Sequence, residues 1–338
     1  MCIRDRRYTK GEIATRIRQS EKRIEHARAA REIGVPHPRQ ILDLKICDPA
    51  MGSGAFLVEA CRQLGDELIR AWYAHDMVPR DIPADEDEVL YARRLVAQRC
   101  LYGVDKNVMA VDLAKLSLWL VTLARDHAFT FLDHSLRHGN SLVGLTREQI
   151  IGFHWDRKKF KTLLNEPIQK RLDRATEARA KILNAREDVP YRDQEQRLAV
   201  ADEALDLIRS LGDACVSCFF AESKKNAREE EADRVYGLAS SYLESHSQQQ
   251  VDHASRQSLA QAAARLAQAE HPVPAFHWEI EFPEVFSREN GGFDAFVGNP
   301  PFLGGAGLSK MFGGPAYQEW LKEIHEDAFG NADPVSYT

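Results

Sequence analysis

The chain has 338 residues, which at roughly 150 residues per domain suggests about two domains. Its 44% hydrophobic and 28% charged content permits a packed core and excludes global disorder. Lysine plus arginine total 45 and aspartate plus glutamate total 51, a formal charge of −6 that excludes a histone-like polycation but not a basic groove on an acidic body.

In chain order, residues 10–32 have the pattern of a charged amphipathic helix, with Ile13, Ile17, Ile24 and Ala27 at helical spacing. Val35-Pro-His-Pro38 is expected to end it. An apolar run of strand length, 41–47, stops at Asp48-Pro-Ala-Met-Gly-Ser-Gly54, and 55–73 then has helical periodicity. The acidic stretch 76–90 is expected to be a loop. A short helix at 91–98 leads into a strand ending at Asp105, and 107–124 forms a further helix. A third strand is expected around 136–138. This βαβαβ order predicts a doubly wound, mostly parallel sheet.

From about residue 147 to 270 the chain is charged, poor in glycine and helical, and Leu198, Ala201, Leu205 and Ile208 suit an antiparallel helix pair. The glutamines at 248–250 and the alanine-rich 259–269 are expected to be exposed helix or linker. Strand character returns at 293–298, and a helix is expected at 316–328.

No apolar run reaches the length of a membrane span, since the best candidate, 108–124, is broken by Asp112 and Lys115. The N-terminus, Met1 to Arg7, lacks the apolar core of a secretory signal. Six cysteines are too few for a disulfide framework in a chain of this length. Cys47, Cys61 and Cys100 have apolar neighbours typical of core positions. Cys215-Val-Ser-Cys218 has no second ligand pair and is expected to be a helix-packing turn, so no metal site is expected. The expected compartment is a reducing cytoplasm.

Four short segments carry chemistry. The glycines of 48–54 permit backbone conformations closed to other residues and let a ligand approach the turn; no P-loop lysine follows. Asp105, closing a strand, can accept both hydroxyls of a ribose or else cap the next helix. Asn140 offers one donor and one acceptor to a base edge, or serves as a turn residue. Asn299-Pro-Pro-Phe302 presents an amide oxygen and a carbonyl to one amino group, with an aromatic face beside them.

Together these residues resemble S-adenosylmethionine-dependent DNA adenine N6-methyltransferases of the gamma motif order. Asp48-Pro-Ala-Met-Gly-Ser-Gly-Ala-Phe56 and Asn299-Pro-Pro-Phe302 are similar to that family's first and fourth motifs. Phe276 to Phe286 and Phe293 to Asn299 are similar to type IIG restriction–modification and DISARM-type phage-defence methylases. The resemblance implies a Rossmann-like class I fold, of which about four of seven strands are supplied. The expected segments are an N-terminal helical part (1–40), a cofactor-binding half (41–146), a helical insertion (147–275) and a catalytic segment (276–338).

The resemblance also implies roles. Asp48, Pro49, Gly52 and Gly54 would hold the methionine part of S-adenosyl-L-methionine, Asp105 its ribose and Asn140 its adenine. Asn299 and Pro300, followed by Pro301, would hold the target amino group, and Phe302 would stack on a base flipped out of DNA. Restriction or defence subunits are further expected partners. A full copy of the family's N-terminal cofactor-covering motif is not found; Tyr8-Thr9 would be its remnant, and 331–333 resembles the start of the next motif. The opening Met-Cys-Ile-Arg-Asp-Arg resembles a recurring assembly artefact, so the chain is expected to be a piece cut at both ends. Methylation of a protein glutamine or an RNA base, or an inactive methylase-like scaffold, are the alternatives.

Overall fold

The computed structural model describes residues 34–80, 82, 87–123, 130–163, 165–186, 189–248, 252–269, 271–300 and 315–324. The expected helix at 10–32, Tyr8-Thr9, Pro301, Phe302 and 331–333 lie outside these residues.

Val35-Pro-His-Pro38 begins a helix, α1 (Pro38–Asp43), in place of ending one. A proline in the first turn gives up an N–H that has no helical partner there. The His37 ring accepts from the Arg39 amide, and the Gln40 side chain returns to the His37 amide at 2.8 Å. This capping takes Ile41 into the helix, so the strand expected over 41–47 contracts to β1 (Ile46–Asp48).

β1 leads through the glycine turn to α2 (Ala55–Ala74). α3 (Glu88–Arg99) starts inside the stretch expected to be loop, because the Asp87 side chain caps the Val89 amide. β2 (Leu101–Asp105), α4 (Val108–Thr122) and β3 (Leu136–His138) follow. With β4 (Ala295–Phe296) they form a four-stranded sheet of order β3-β2-β1-β4, every pair parallel. Period-two alternation divides the side chains between two faces. Ile46, Leu101 and Leu136 pack on Leu57, Leu68, Val96 and Leu118 of the α2–α4 layer. Cys47, Tyr102 and Val104 face Phe276, Phe282 and Val285. The result is an α/β, doubly wound Rossmann-like fold in which the chain changes direction between β1 and β4.

The connection from β3 back to β4 contains α5 (Arg147–Gly152), α6 (Asn165–Leu183), α7 (Tyr191–Ala221), α8 (Lys225–Ser247) and α9 (His253–Gln268). α7 is the central member; Leu205, Ile208 and Leu211 share a buried core with Leu172 of α6, Val235 of α8 and Leu266 of α9. The stretch 259–269, expected to be exposed helix or linker, is mostly α9 and buries Leu259, Ala262 and Leu266. Cys215 and Cys218 sit within α7, not in a turn; burial pushes both thiols up, Cys218 to about 12. Among the described residues no helix is long and apolar enough to cross a membrane.

Two single-turn helices, α10 (Trp278–Glu281) and α11 (Pro283–Phe286), return the chain to the sheet. They are fastened by charge. Arg179 of α6 is fully buried and grips Glu284 with two contacts, Nε to Oε2 at 2.5 Å and Nη2 to Oε1 at 2.8 Å. Its Nη2 also donates to the His134 carbonyl, just before β3. Arg137 of β3 and Arg209 of α7 converge on Glu281, whose carboxyl they hold down at about 2 against its burial. After β4, α12 (Pro315–Ile324) buries Tyr317, Trp320 and Leu321 against the helical insertion.

Removing one partner of a buried ion pair leaves an uncompensated charge. Arg179→Met should therefore cost ~3–5 kcal/mol in urea denaturation, whereas Lys170→Met, at an exposed pair, should cost about 0–1 kcal/mol.

Candidate functional site

Of the expected site residues, Asp48 and Asp105 end β1 and β2, and Asn299 and Pro300 follow β4, all at the carboxyl edge where doubly wound sheets bind ligands. Asp48 is the last residue of β1 and is buried, with its Oδ1 accepting from the Ala50 amide at 3.1 Å. Burial pushes its carboxyl up to about 6; the Ala50 amide opposes the shift and the nearby Asp105 charge adds to it.

Beyond Asp48 the chain turns through two left-handed glycines, Gly52 (φ +52°) and Gly54 (φ +78°), a conformation in which a side chain is strained. Gly54 packs against α4, since a Cβ there would lie 3.0 Å from the Ala114 Cβ. At Gly52 a Cβ would meet no atom within 4 Å, so that part of the turn is open. Asp105, ending β2, accepts from the Gly52 amide at 2.9 Å with one oxygen and from the Asn107 amide at 2.8 Å with the other. The Met51 amide bonds the Val104 carbonyl, a second tie between turn and strand. The helix N-cap is Asn107, whose side chain accepts from the Met109 amide. Asp105 therefore braces the turn, with lone pairs remaining on both oxygens.

β4 is shorter than the strand expected over 293–298 because side-chain bonds replace part of its ladder. Asp294 exchanges bonds with Lys45: its Oδ2 accepts from the Lys45 amide at 2.7 Å, and its own amide donates to the Lys45 carbonyl at 2.8 Å. Arg288 holds the same carboxylate through both oxygens and lowers its pKa. The Val297 amide then bonds the Cys47 carbonyl. Gly298 follows, and a Cβ on it would fall 2.6 Å from the Asp48 Oδ1. The chain delivering Asn299 and Pro300 thus crosses directly over Asp48, with Asn299 exposed.

Asn140 follows β3 at the same end of the sheet. It is buried after β3, where its Oδ1 accepts from the Leu142 amide and its side-chain amide meets the Tyr317 hydroxyl at 3.2 Å. A cavity of about 330 Å³ opens on the aromatic face beside β4, lined by Pro49, Leu142, Gln149, Trp278, Phe293 and Phe296 among others. Among the described residues no group of three or more His, Cys, Asp or Glu side chains could hold a metal.

Sequence reasoning assigned no role to Gly298, Asn107 or Tyr317. A glycine directly before Asn-Pro-Pro at a strand end is a signal of close backbone approach, and an asparagine before an apolar periodic run is an N-cap signal. Nothing local marks Tyr317, which lies 177 residues from its partner.

The donor set fits a sulfonium amino-acid nucleoside: an open glycine turn for close approach, a buried carboxylate for an ammonium, and a strand-end carboxylate for a ribose. This sheet and site define a methyltransferase-type α/β domain, and comparison with known proteins places it more narrowly. Residues 99–337 match the model of the Eco57I restriction-modification methylase family, and residues 27–151 match the MmeI DNA-methyltransferase domain. The chain belongs to the Eco57I-type restriction-modification methylase family. It is 26% identical over 281 residues to RM.MjaORFECS2P of Methanocaldococcus jannaschii, which carries the name of a type II restriction enzyme and methyltransferase. That match covers 77% of this chain and 22% of the relative. It is 30% identical over 115 residues to the type II restriction enzyme and methyltransferase RM.Eco57I of Escherichia coli, covering 31% of this chain and 12% of that one. The chain thus spans a minor part of both relatives. No solved structure matches it significantly.

Two measurements test this geometry. Gly298→Ala forces a methyl group onto Asp48 and should lower stability by ~1–3 kcal/mol in chemical denaturation. Because the folded-state pKa of Asp48 lies above its unfolded value, its neutral form stabilises the fold. That contribution is complete below about pH 4 and is lost as pH rises through about 6. Asp48→Asn should therefore match the wild type in melting temperature near pH 4 and exceed it at pH 7.

Proposed function

We propose that the chain is the catalytic core of a DNA adenine N6-methyltransferase of a restriction–modification system, using S-adenosyl-L-methionine in a reducing cytoplasm. The observation that carries this reading is the crossing of Gly298 over Asp48. It brings the residue pair suited to an exocyclic amino group, Asn299 and Pro300, next to the glycine turn suited to the methyl donor. Family membership supports the DNA substrate, and the Asn-Pro-Pro-Phe segment supports adenine as the base.

When bound, the cofactor supplies an electrophilic methyl group on a sulfonium centre. The protein's task is to make a poor nucleophile competent, because the lone pair of adenine N6 is delocalised into the ring. The Asn299 side-chain oxygen and the Pro300 carbonyl would each accept one of its two N–H hydrogens. This favours a tetrahedral nitrogen with its lone pair available for in-line attack. Two consecutive prolines stiffen the backbone that carries these acceptors, so little reorganisation is needed. Phe302 would stack on the extruded base, offsetting part of the cost of taking it out of the duplex. Asp48 would face the cofactor's ammonium and Asp105 its ribose. Both act by positioning, and proton transfer is not required of either.

Asn299→Ala, made in the full-length protein, should lower adenine methylation of DNA by at least about a thousandfold. Cofactor binding, measured by calorimetry, and the melting temperature should stay near wild type, since Asn299 is exposed. Undiminished N6-methyladenine in digested DNA would remove Asn299 from the site. Methyl groups found instead on a protein glutamine or on RNA would overturn the substrate.

A further inference from the structure

The strand that leads to Asn299 and Pro300 has little ladder of its own. β4 pairs Ala295 with Ile46 and Phe296 with Cys47, and among the described residues β1 is its one neighbour. Both residues of β4 are exposed. Two residues further on, Gly298 lies on Asp48, where a Cβ would come within 2.6 Å of Oδ1. A slip of one residue would exchange the two faces of the strand, and a slip of two would bring Phe296 or Pro300 over Asp48. One register is usable, and so short a ladder is a weak means of holding it.

What holds the register lies just upstream. The Asp294 side chain takes the place of a ladder group, with Oδ2 accepting from the Lys45 amide at 2.7 Å while the Asp294 amide donates to the Lys45 carbonyl at 2.8 Å. Arg288 aims that carboxylate. Its Nη1 donates to Oδ2 at 2.9 Å and its Nη2 to Oδ1 at 3.0 Å, so the planar guanidinium sets the orientation of both oxygens. Nη1 also donates to the Gly292 carbonyl at 3.3 Å, closing the turn through Gly291 and Gly292, both at positive φ. Arg288 stands two residues beyond α11, whose Glu284 is the partner of Arg179. A short series of contacts therefore runs from the helical insertion to β4.

We propose that Asp294, aimed by Arg288, is a positioning residue for methyl transfer: it fixes the register of β4 and with it the placement of Asn299 and Pro300. This rests on the reading of those two residues as acceptors for the target amino group. Asp294 precedes β4 and Asn299 follows it, so the carboxylate acts through the strand. One residue of strand is ~3.3 Å, and an error of about 1 Å in the reacting groups already costs on the order of a hundredfold in rate. A shift of a fraction of a residue is therefore enough to spoil the alignment.

The test uses the full-length protein and two substitutions that separate the contacts. Asp294→Asn keeps an oxygen for the Lys45 amide and gives up the charge facing Arg288, whereas Asp294→Ala gives up both. In Asp294→Ala, kcat for adenine methylation should fall at least ~30-fold while KM for cofactor and for DNA stays within ~3-fold. Asp294→Asn should recover at least ~5-fold of that loss. Hydrogen exchange of the Val297 amide, which bonds the Cys47 carbonyl, should quicken at least ~10-fold in Asp294→Ala. Exchange of the Gly103 amide, bonded to the Ser135 carbonyl just before β3, should not change. Unchanged exchange at Val297, or a kcat within ~3-fold of wild type, would overturn the proposal. Equal loss of protection at Gly103 would also overturn it, leaving Asp294 a contributor to general stability alone. If the wild type methylates no adenine, the reading of Asn299 fails and the positioning role falls with it, while the Val297 exchange, which needs no substrate, still shows whether Asp294 sets the register.

Discussion

The structure depends on a guanidinium that has no access to water. Arg179 sits between the helical insertion and the segment that returns to the sheet, held by the two oxygens of Glu284 and by the His134 carbonyl. A charge in that position is tolerated only with its partners in place, so it admits one docking of insertion against sheet. Arg137 and Arg209 on Glu281 add a second, partly buried fastening a few residues away. Both acidic partners belong to α10 and α11, the two short helices just ahead of β4. A long excursion of more than a hundred residues between β3 and β4 would otherwise leave β4 poorly determined. With these contacts, the excursion fixes the strand that carries Asn299.

The two carboxylates of the site differ because their surroundings differ. Asp105 has both oxygens engaged by backbone amides of the turn and of the α4 N-terminus. Asp48 is closed in beneath Gly298, and burial raises its pKa to about 6. One group braces the glycine turn against β2. The other is a buried acid whose ionisation an incoming ammonium would favour. The proximity of Gly298 to Asp48 joins the two ends of the site, and a single methylene would disturb it.

Much of this was legible in the order of residues. The strand, glycine turn and helix at 46–74, the strand closed by Asp105 and the helix after it all follow from periodicity and turn chemistry, which are local. The resemblance carried by Asp48 to Phe56 and by Asn299 to Phe302 agrees with the two methylase family models, which match residues 27–151 and 99–337. The local reading went astray where short-range signals competed. Pro36 and Pro38 look like helix breakers, yet a proline at the first helical position starts α1. The alanine-rich stretch near 262 looks like linker because its few large side chains are widely spaced, and α7 supplies the surface that buries them.

The sequence by itself determined the kind of sheet, the turn that faces the ligand edge and the family to which the chain belongs, because each rests on residues adjacent along the backbone. Only the tertiary structure decided that β4 returns beside β1, that Gly298 lies on Asp48, and that Asn140 turns inward to Tyr317. These are contacts between segments far apart in the chain. Their selection depends on which charges can be buried together and which backbones can approach within a few ångströms, and no stretch of neighbouring residues encodes either.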